Sequence, residues 1–204
     1  MKKTILITGA GTGIGKDAGF ALALRGHRVL ATTQTEAQSN ALKAESTQLN
    51  IVLEIFKLDI TQEADRESIS AYPIDVLINN AGMGESGSLA EVDMQRVRQI
   101  FEVNLFSTLA LTQVALRGMI ARERGSVLFV SSIAGRIPMP FLMPYSMSKF
   151  ALSAAGAGLR AEMDQLKKNI QIALIEPGAI HTGFNQAMTN SKYEWMNVSS
   201  YFSH

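Results

Sequence analysis

Three side chains in the second half of the chain could together move a proton at a carbon–oxygen bond: Ser132, Tyr145 and Lys149. Carbonyl reduction needs an acid that protonates the developing alkoxide as hydride arrives, and alcohol oxidation needs the reverse. A tyrosine, with an ordinary pKa of about 10, is a poor base near neutrality unless positive charge beside it favours the phenolate. Lys149 lies four positions after Tyr145, so one helical face would carry both. A serine hydroxyl can hold a substrate oxygen and stabilise its partial charge. Taken alone, Tyr145 reads equally as a helix-start aromatic with a solvated hydroxyl, and Lys149 as a surface lysine. Their placement at the C-terminal side of a sheet, beside a nucleotide, would favour the chemical reading.

A second cluster could hold a hydride carrier. Thr8-Gly9-Ala10-Gly11-Thr12-Gly13-Ile14-Gly15 follows a short apolar run and opens a helical pattern. The spacing departs from strict G-x-G-x-x-G, because Gly15 comes directly after Gly13 and Ile14. The physics is unchanged: glycines allow a tight turn and close approach of backbone to pyrophosphate, with a helix N-terminus facing the anion. An ordinary flexible loop is the plainer reading, but the position between a first strand and a first helix points to nucleotide binding. Asn79-Asn80-Ala81-Gly82 should end the fourth strand, either as a polar turn or as the opposite wall of the same crevice.

The elements that must position these residues are legible as alternating patterns. Thr4–Thr8, Arg28–Thr33, Ile51–Phe56, Val76–Asn79, Ser126–Val130 and Ile170–Ile175 are short apolar runs, as expected of strands buried on both faces of a parallel sheet. Helical periodicity fills Ile14–Arg25, Glu36–Leu49, Gln62–Ala71, Met94–Glu123 and Ser146–Leu166. Thr61 and Asp93 are predicted N-caps, and Gly125 is predicted to stop the fourth helix. Strand–helix alternation with right-handed crossovers gives a doubly wound, Rossmann-type α/β fold with helices on both faces. No repeat or linker divides the chain, so residues 1–204 read as one domain. Ala151, Ala154, Ala155, Gly156, Ala157 and Gly158 leave the fifth helix nearly smooth. A helix apolar all round needs a second partner, and a homodimer or homotetramer would supply one.

Composition excludes several classes. Nineteen basic and eighteen acidic side chains leave a formal charge of +1 with no basic run, so neither nucleic acid nor an anionic membrane is an expected partner. Leu105–Ile120 is apolar but carries Gln113 and Arg117, which argues against a membrane span. Cysteine is absent, which removes disulfides and thiolate metal sites, and no metal site is expected. The apolar start is too short for a signal peptide, and the expected location is the cytoplasm.

Collected, the motifs resemble those of the short-chain dehydrogenase/reductase family, main single-domain branch, from Thr4 to Thr182. The resemblance rests on TGAGTGIG (Thr8–Gly15), Asp59, NNAG (Asn79–Gly82), Asn104, Ser132, YSMSK (Tyr145–Lys149) and PGAIHT (Pro177–Thr182). It implies that Tyr145 is the acid/base, Ser132 the donor to the substrate oxygen, and Lys149 the ribose anchor that lowers the tyrosine pKa. Asn104 would hold a water in a proton relay; without the family it reads as a polar residue in a helix kink. Asp59 would meet the adenine, Asn80, Ala81 and Gly82 the adenosine side, and Pro177, Gly178, Ile180 and Thr182 the nicotinamide end.

Choice of dinucleotide should lie at the end of the second strand. Thr33 and Gln34 supply neither an acid for the ribose hydroxyls of NAD nor an arginine for the phosphate of NADP, and Thr12 is not basic. The balance tips to NADP, with NAD the alternative. Ile133, Pro138, Met139, Phe141, Met143 and Phe184 imply a small-molecule substrate, an apolar ketone or secondary alcohol, with methionines adapting to several shapes. A non-catalytic dinucleotide sensor would not need Ser132, Tyr145 and Lys149 intact, and a nucleotide-sugar epimerase or dehydratase would carry a larger substrate region. Only 26 residues follow Gly178, without a late β-branched run. The expectation is that the 204 residues belong to a longer polypeptide, with residues 183–204 opening a short, mobile helical lid.

Overall fold

The computed structural model describes residues 1–202. Six runs become strands, the central ones buried on both faces and the edge strands β3 and β6 partly exposed: β1 (Thr4–Ile7), β2 (Arg28–Thr33), β3 (Glu54–Lys57), β4 (Val76–Asn79), β5 (Arg124–Val130) and β6 (Asn169–Ile175). All pair in parallel, in the order β3-β2-β1-β4-β5-β6. The chain therefore winds outward in one direction from β1 and in the other from β4, which opens a crevice above their C-terminal ends.

Side chains alternate across this sheet, as strand geometry requires. Leu6, Leu30, Leu77, Val127 and Phe129 enter one core with Leu111, Met119, Leu152 and Met163. Those last four come from α5 (Thr108–Ala121) and α6 (Met143–Gln165). Ile5, Ile7, Val29, Ala31 and Ile78 enter the other core against α1 (Gly13–Leu24) and α2 (Glu36–Gln48), through Ala18, Phe20 and Leu42. The fold is the doubly wound parallel sheet with helices on both faces.

Local departures from the sequence expectation have physical causes. The third strand begins at Glu54 rather than Ile51, since the ladder with β2 starts at Leu30–Glu54 and Val52 stays exposed. Before α3 (Glu63–Ser68), whose N-cap is Gln62, the hydroxyl of Thr61 is not a cap; it donates to Asp59 Oδ1. Asp93 does cap α4 (Met94–Phe101), accepting from the N–H of Gln95 at 2.8 Å. The expected single helix Met94–Glu123 is split by a π-helical turn, Glu102–Ser107, between α4 and α5. Wider i→i+5 spacing suits its side chains: Ser107 Oγ donates to Glu102 Oε1 and Thr108 Oγ1 to Val103 O. Gly125 is not the helix stop: the chain turns at Glu123, with φ 57°, and Gly125 already lies in β5. The stretch Met94–Ala121 is apolar enough by composition to cross a membrane, yet half of it is buried in the protein. The segment after β6 forms α7 (Phe184–Asn190) and a 3₁₀ turn, Ser191–Glu194. The last two positions of the expected 183–204 segment lie outside the described residues.

Candidate active site

The glycine turn is boxed in by the end of β4. A Cβ on Gly9, which has φ 64°, would lie 2.8 Å from Ala81 Cα, and one on Gly15 would lie 2.4 Å from Asn80 Nδ2. Asn80 closes the box: its Nδ2 donates to Thr8 O at 2.9 Å and Gly9 O at 3.0 Å. The N–H groups of Asn80 and Ala81 both donate to Thr8 Oγ1 at 3.0 Å. Only glycines fit so close to that backbone. Thr12 caps α1 without a side-chain hydrogen bond, so the first-turn N–H groups, Ile14 among them, remain available to an anion. Gly13 rests against Thr182, and Gly11 faces the Thr33 methyl. These contacts fit a dinucleotide: a cradle no larger side chain could line, at a helix N-terminus.

Thr33, Gln34 and Asp59 gather at the far end of the crevice, where Leu58 N donates to Thr33 O at 2.8 Å. Thr33 is buried, its hydroxyl 2.7 Å from Ser39 Oγ and bonded to Thr35 O. Gln34 is exposed, and Asp59 Oδ1 accepts from Thr61. At the near end Pro177 O accepts from Ile133 N at 3.0 Å, a Cβ on Gly178 would meet nothing within 4 Å, and Ile180 is exposed.

The three candidate catalytic side chains meet between these ends. Ser132 sits just beyond β5, accepting from the Ala134 N–H at 3.1 Å, and its hydroxyl lies near enough to the Tyr145 phenol to pull that pKa down. Pro144 favours helix initiation in the first turn of α6, which places Tyr145 there and Lys149 one turn on. Lys149 is 4% exposed, with Nζ 5.7 Å from the centre of the Tyr145 ring and 2.8 Å from Val130 O. That carbonyl is its one acceptor among the described residues, so an ammonium with three donors keeps two for a bound molecule. Burial lowers its pKa from 10.5 to about 8. Burial also raises the Tyr145 phenol above its ordinary value, against a smaller lowering by Ser132. The two influences on this phenol are burial and Ser132, and burial is the larger.

Asn104 reaches the site through the π turn. Its Oδ1 accepts from the Met83 N–H at 2.8 Å, and its Nδ2 donates to Met83 O at 2.9 Å and Ser148 Oγ at 3.0 Å. A Cβ on Gly82 would lie 3.2 Å from Asn104 Oδ1 and 3.6 Å from Lys149 Nζ, so Gly82 keeps these two polar groups close. Phe184 packs against the Tyr145 ring at 5.8 Å between ring centres, and Met188, Ile100 and Ala134 belong to the same buried cluster. Ile133, Met139 and Phe141 are exposed at the rim.

Sequence reasoning missed Ser148, whose hydroxyl also donates to Tyr145 O at 2.7 Å, and the roof residues Met83, Leu142 and Met188. Ser148 adjoins Lys149 in sequence, but its partner Asn104 is 44 positions away and is delivered only by the π turn. A recess of about 440 Å³ lined by Leu24, His27 and Val52 lies at the N-terminal ends of β2 and β3, and no candidate site residue lines it.

A dinucleotide-type crevice with serine, tyrosine and lysine at its mouth defines a class of α/β proteins. The chain belongs to the short-chain dehydrogenase/reductase family: the family model described as short chain dehydrogenase matches residues 3–193. It is 36% identical over 188 residues to the uncharacterized oxidoreductase YusZ of Bacillus subtilis, covering 89% of this chain and 66% of that protein. It is 33% identical over 191 residues to dehydrogenase/reductase SDR family member 7B of Mus musculus, covering 89% and 58%. The chain thus spans about two thirds or less of the length of these curated relatives. Among solved structures, a short-chain dehydrogenase from Streptomyces avermitilis superposes with a TM-score of 0.81 at 30% identity, over 89% of this chain and 68% of that one. An actinorhodin polyketide ketoreductase variant with NADPH gives 0.85 at 25% identity, over 95% and 75%.

Proposed function

We propose that this protein is an NAD(P)-dependent oxidoreductase that interconverts an apolar ketone and a secondary alcohol, with Tyr145 as the acid/base. The observation that carries the reading is a buried tyrosine beside Lys149, whose ammonium lies 5.7 Å from the ring centre and has donors to spare at the mouth of a glycine cradle. Bound there, the nicotinamide supplies or accepts the hydride. Ser132 and Tyr145 both hydrogen-bond the substrate oxygen, which fixes the carbonyl carbon within reach of that hydride. A phenol, with an ordinary pKa of about 10, is protonated at neutral pH, so in reduction Tyr145 gives its proton to the developing alkoxide. The Lys149 ammonium then stabilises the phenolate and holds the ribose hydroxyls. Asn104, clamped by Met83 and Ser148, anchors the inner end of the route by which the proton returns.

The adenosine end carries no acid at Thr33 or Gln34, which supports NADP over NAD. Phe184, Met188 and Leu142 around the phenol support an apolar substrate. Phe106, in the π turn, and Phe150, Ala154, Ala157 and Gly158 of α6 are left exposed, which supports a homodimer or homotetramer.

The test is absorbance at 340 nm with NADPH or NADH and a panel of ketones. Oxidation should be seen with apolar ketones and be faster with NADPH. Tight dinucleotide binding without turnover on any ketone or alcohol would replace this reading with that of a sensor.

A further inference from the structure

The loop after Gly82 and the segment after Gly183 are joined by contacts that the hydride-transfer chemistry does not use. Glu85 is 3% exposed and fully partnered. Arg96 Nη1 donates to its Oε2 at 3.1 Å, while Oε1 accepts from Ser86 N at 3.2 Å and from Trp195 Nε1 at 3.4 Å. Arg96, on α4, spends Nη2 on Glu194 Oε2 at 3.0 Å. One guanidinium thus joins a loop, a helix and the segment roofing the site. The planar fork of arginine can serve two carboxylates at once, whereas a lysine offers one point charge.

A neighbouring seam runs parallel. Ser86 N donates to Ser191 Oγ at 2.9 Å, and Ser86 Oγ donates to Thr189 O and accepts from Lys192 N, each at 3.2 Å. Gly87, at φ 121°, lets the indole seat: a Cβ there would lie 2.2 Å from the Trp195 ring. The seam continues into the site, because the same segment carries Phe184 onto the Tyr145 ring and Met188 into the cluster that contains it.

We propose that Arg96 is a positioning residue for the substrate: by bridging Glu85 and Glu194 it holds Phe184 and Met188 closed over Tyr145. The inference rests on the oxidoreductase reading for its substrate, but not for the closure itself. Without the bridge Glu85 is left as a buried, unpaired carboxylate, and the roof segment opens to give it water. Substrate affinity falls in proportion to the closed fraction, while the dinucleotide cradle, built from Gly9, Gly15 and Asn80, is untouched.

Trp195 is the sole tryptophan of the chain, so its emission reports the seam directly. In Arg96→Met, and independently in Gly87→Ala, we expect the emission to shift to longer wavelength while NADPH affinity by calorimetry stays within about twofold. A roof closed only one tenth of the time raises the ketone KM about tenfold, with kcat changed less. Arg96→Lys should fall between, and Glu194→Gln, which removes only the exposed arm, should shift the emission without loss of folding. Unchanged emission in both Arg96→Met and Gly87→Ala would overturn the closure, and shifted emission with an unchanged ketone KM would overturn the positioning role. If the wild-type protein turned over no ketone, the oxidoreductase reading would fall, and the emission would still decide whether Arg96 holds the roof.

Discussion

Replacing Lys149 with methionine should make the protein more stable and inactive. Burial moves this lysine from 10.5 to about 8, which corresponds to about 3 kcal/mol of stability lost to the charged form at neutral pH. Methionine keeps a straight apolar stem and removes the charge, but Val130 O loses the donor now 2.8 Å away, a cost of about 1 kcal/mol. The net gain is about 2 kcal/mol, or about 4–8 °C in Tm for a domain of this size. The pH dependence follows from the lowered value. Below pH 8 the folded protein carries the charge and the full penalty. Between pH 8 and 10.5 the unfolded chain still binds a proton that the folded protein has released, so wild-type stability rises with pH and the gap to the variant narrows. Saturating dinucleotide should reverse the order at pH 7, since bound ribose hydroxyls give the wild-type ammonium partners that methionine cannot use. The assay is a set of thermal melts at pH 7 and pH 10, with and without NADPH. A Lys149→Met variant that melts below wild type at pH 7 without dinucleotide would refute this reasoning.

Gly15→Ala places a methyl group 2.4 Å from Asn80 Nδ2 and 2.7 Å from Gly9 O, a clash worth about 1–3 kcal/mol. Its NADPH affinity by calorimetry should fall by at least tenfold, and unchanged affinity would remove the cradle from the account. Gln34→Arg, at an exposed position beyond β2, should raise the ratio of kcat/KM for NADPH over NADH by about tenfold through a clamp on the 2′-phosphate; a ratio unchanged within error would place the phosphate elsewhere.

Much of this was legible in the residues, and the exceptions share a cause. Parallel strands buried on both faces must be nearly all apolar, so Leu6, Leu77 and Phe129 announced themselves. The Gly9–Gly15 turn and the Tyr145–Lys149 spacing carry their chemistry in local sequence. What escaped depends on backbone geometry or on partners far apart in the chain. No local pattern marks the π turn that delivers Asn104 to Ser148, because the same residues suit an ordinary helix. Arg96 reads as a solvated helix charge until Glu85 and Glu194, eleven and ninety-eight positions away, are folded beside it. The inward turn of the Thr33 hydroxyl to Ser39 depends on a partner on α2 that the strand sequence does not mark. The direction of the Tyr145 pKa shift depends on how much apolar surface covers the ring, which spacing to Lys149 does not reveal.

The central claim is that the Tyr145 hydroxyl moves the proton while other groups hold the dinucleotide. Tyr145→Phe removes that oxygen and keeps the ring beneath Phe184. Measured together, NADPH affinity by calorimetry and ketone-dependent NADPH oxidation at 340 nm decide it. The account predicts affinity within about twofold of wild type and kcat lowered by at least about a thousandfold, in line with loss of a general acid. A variant that retained a tenth or more of the wild-type kcat would contradict it.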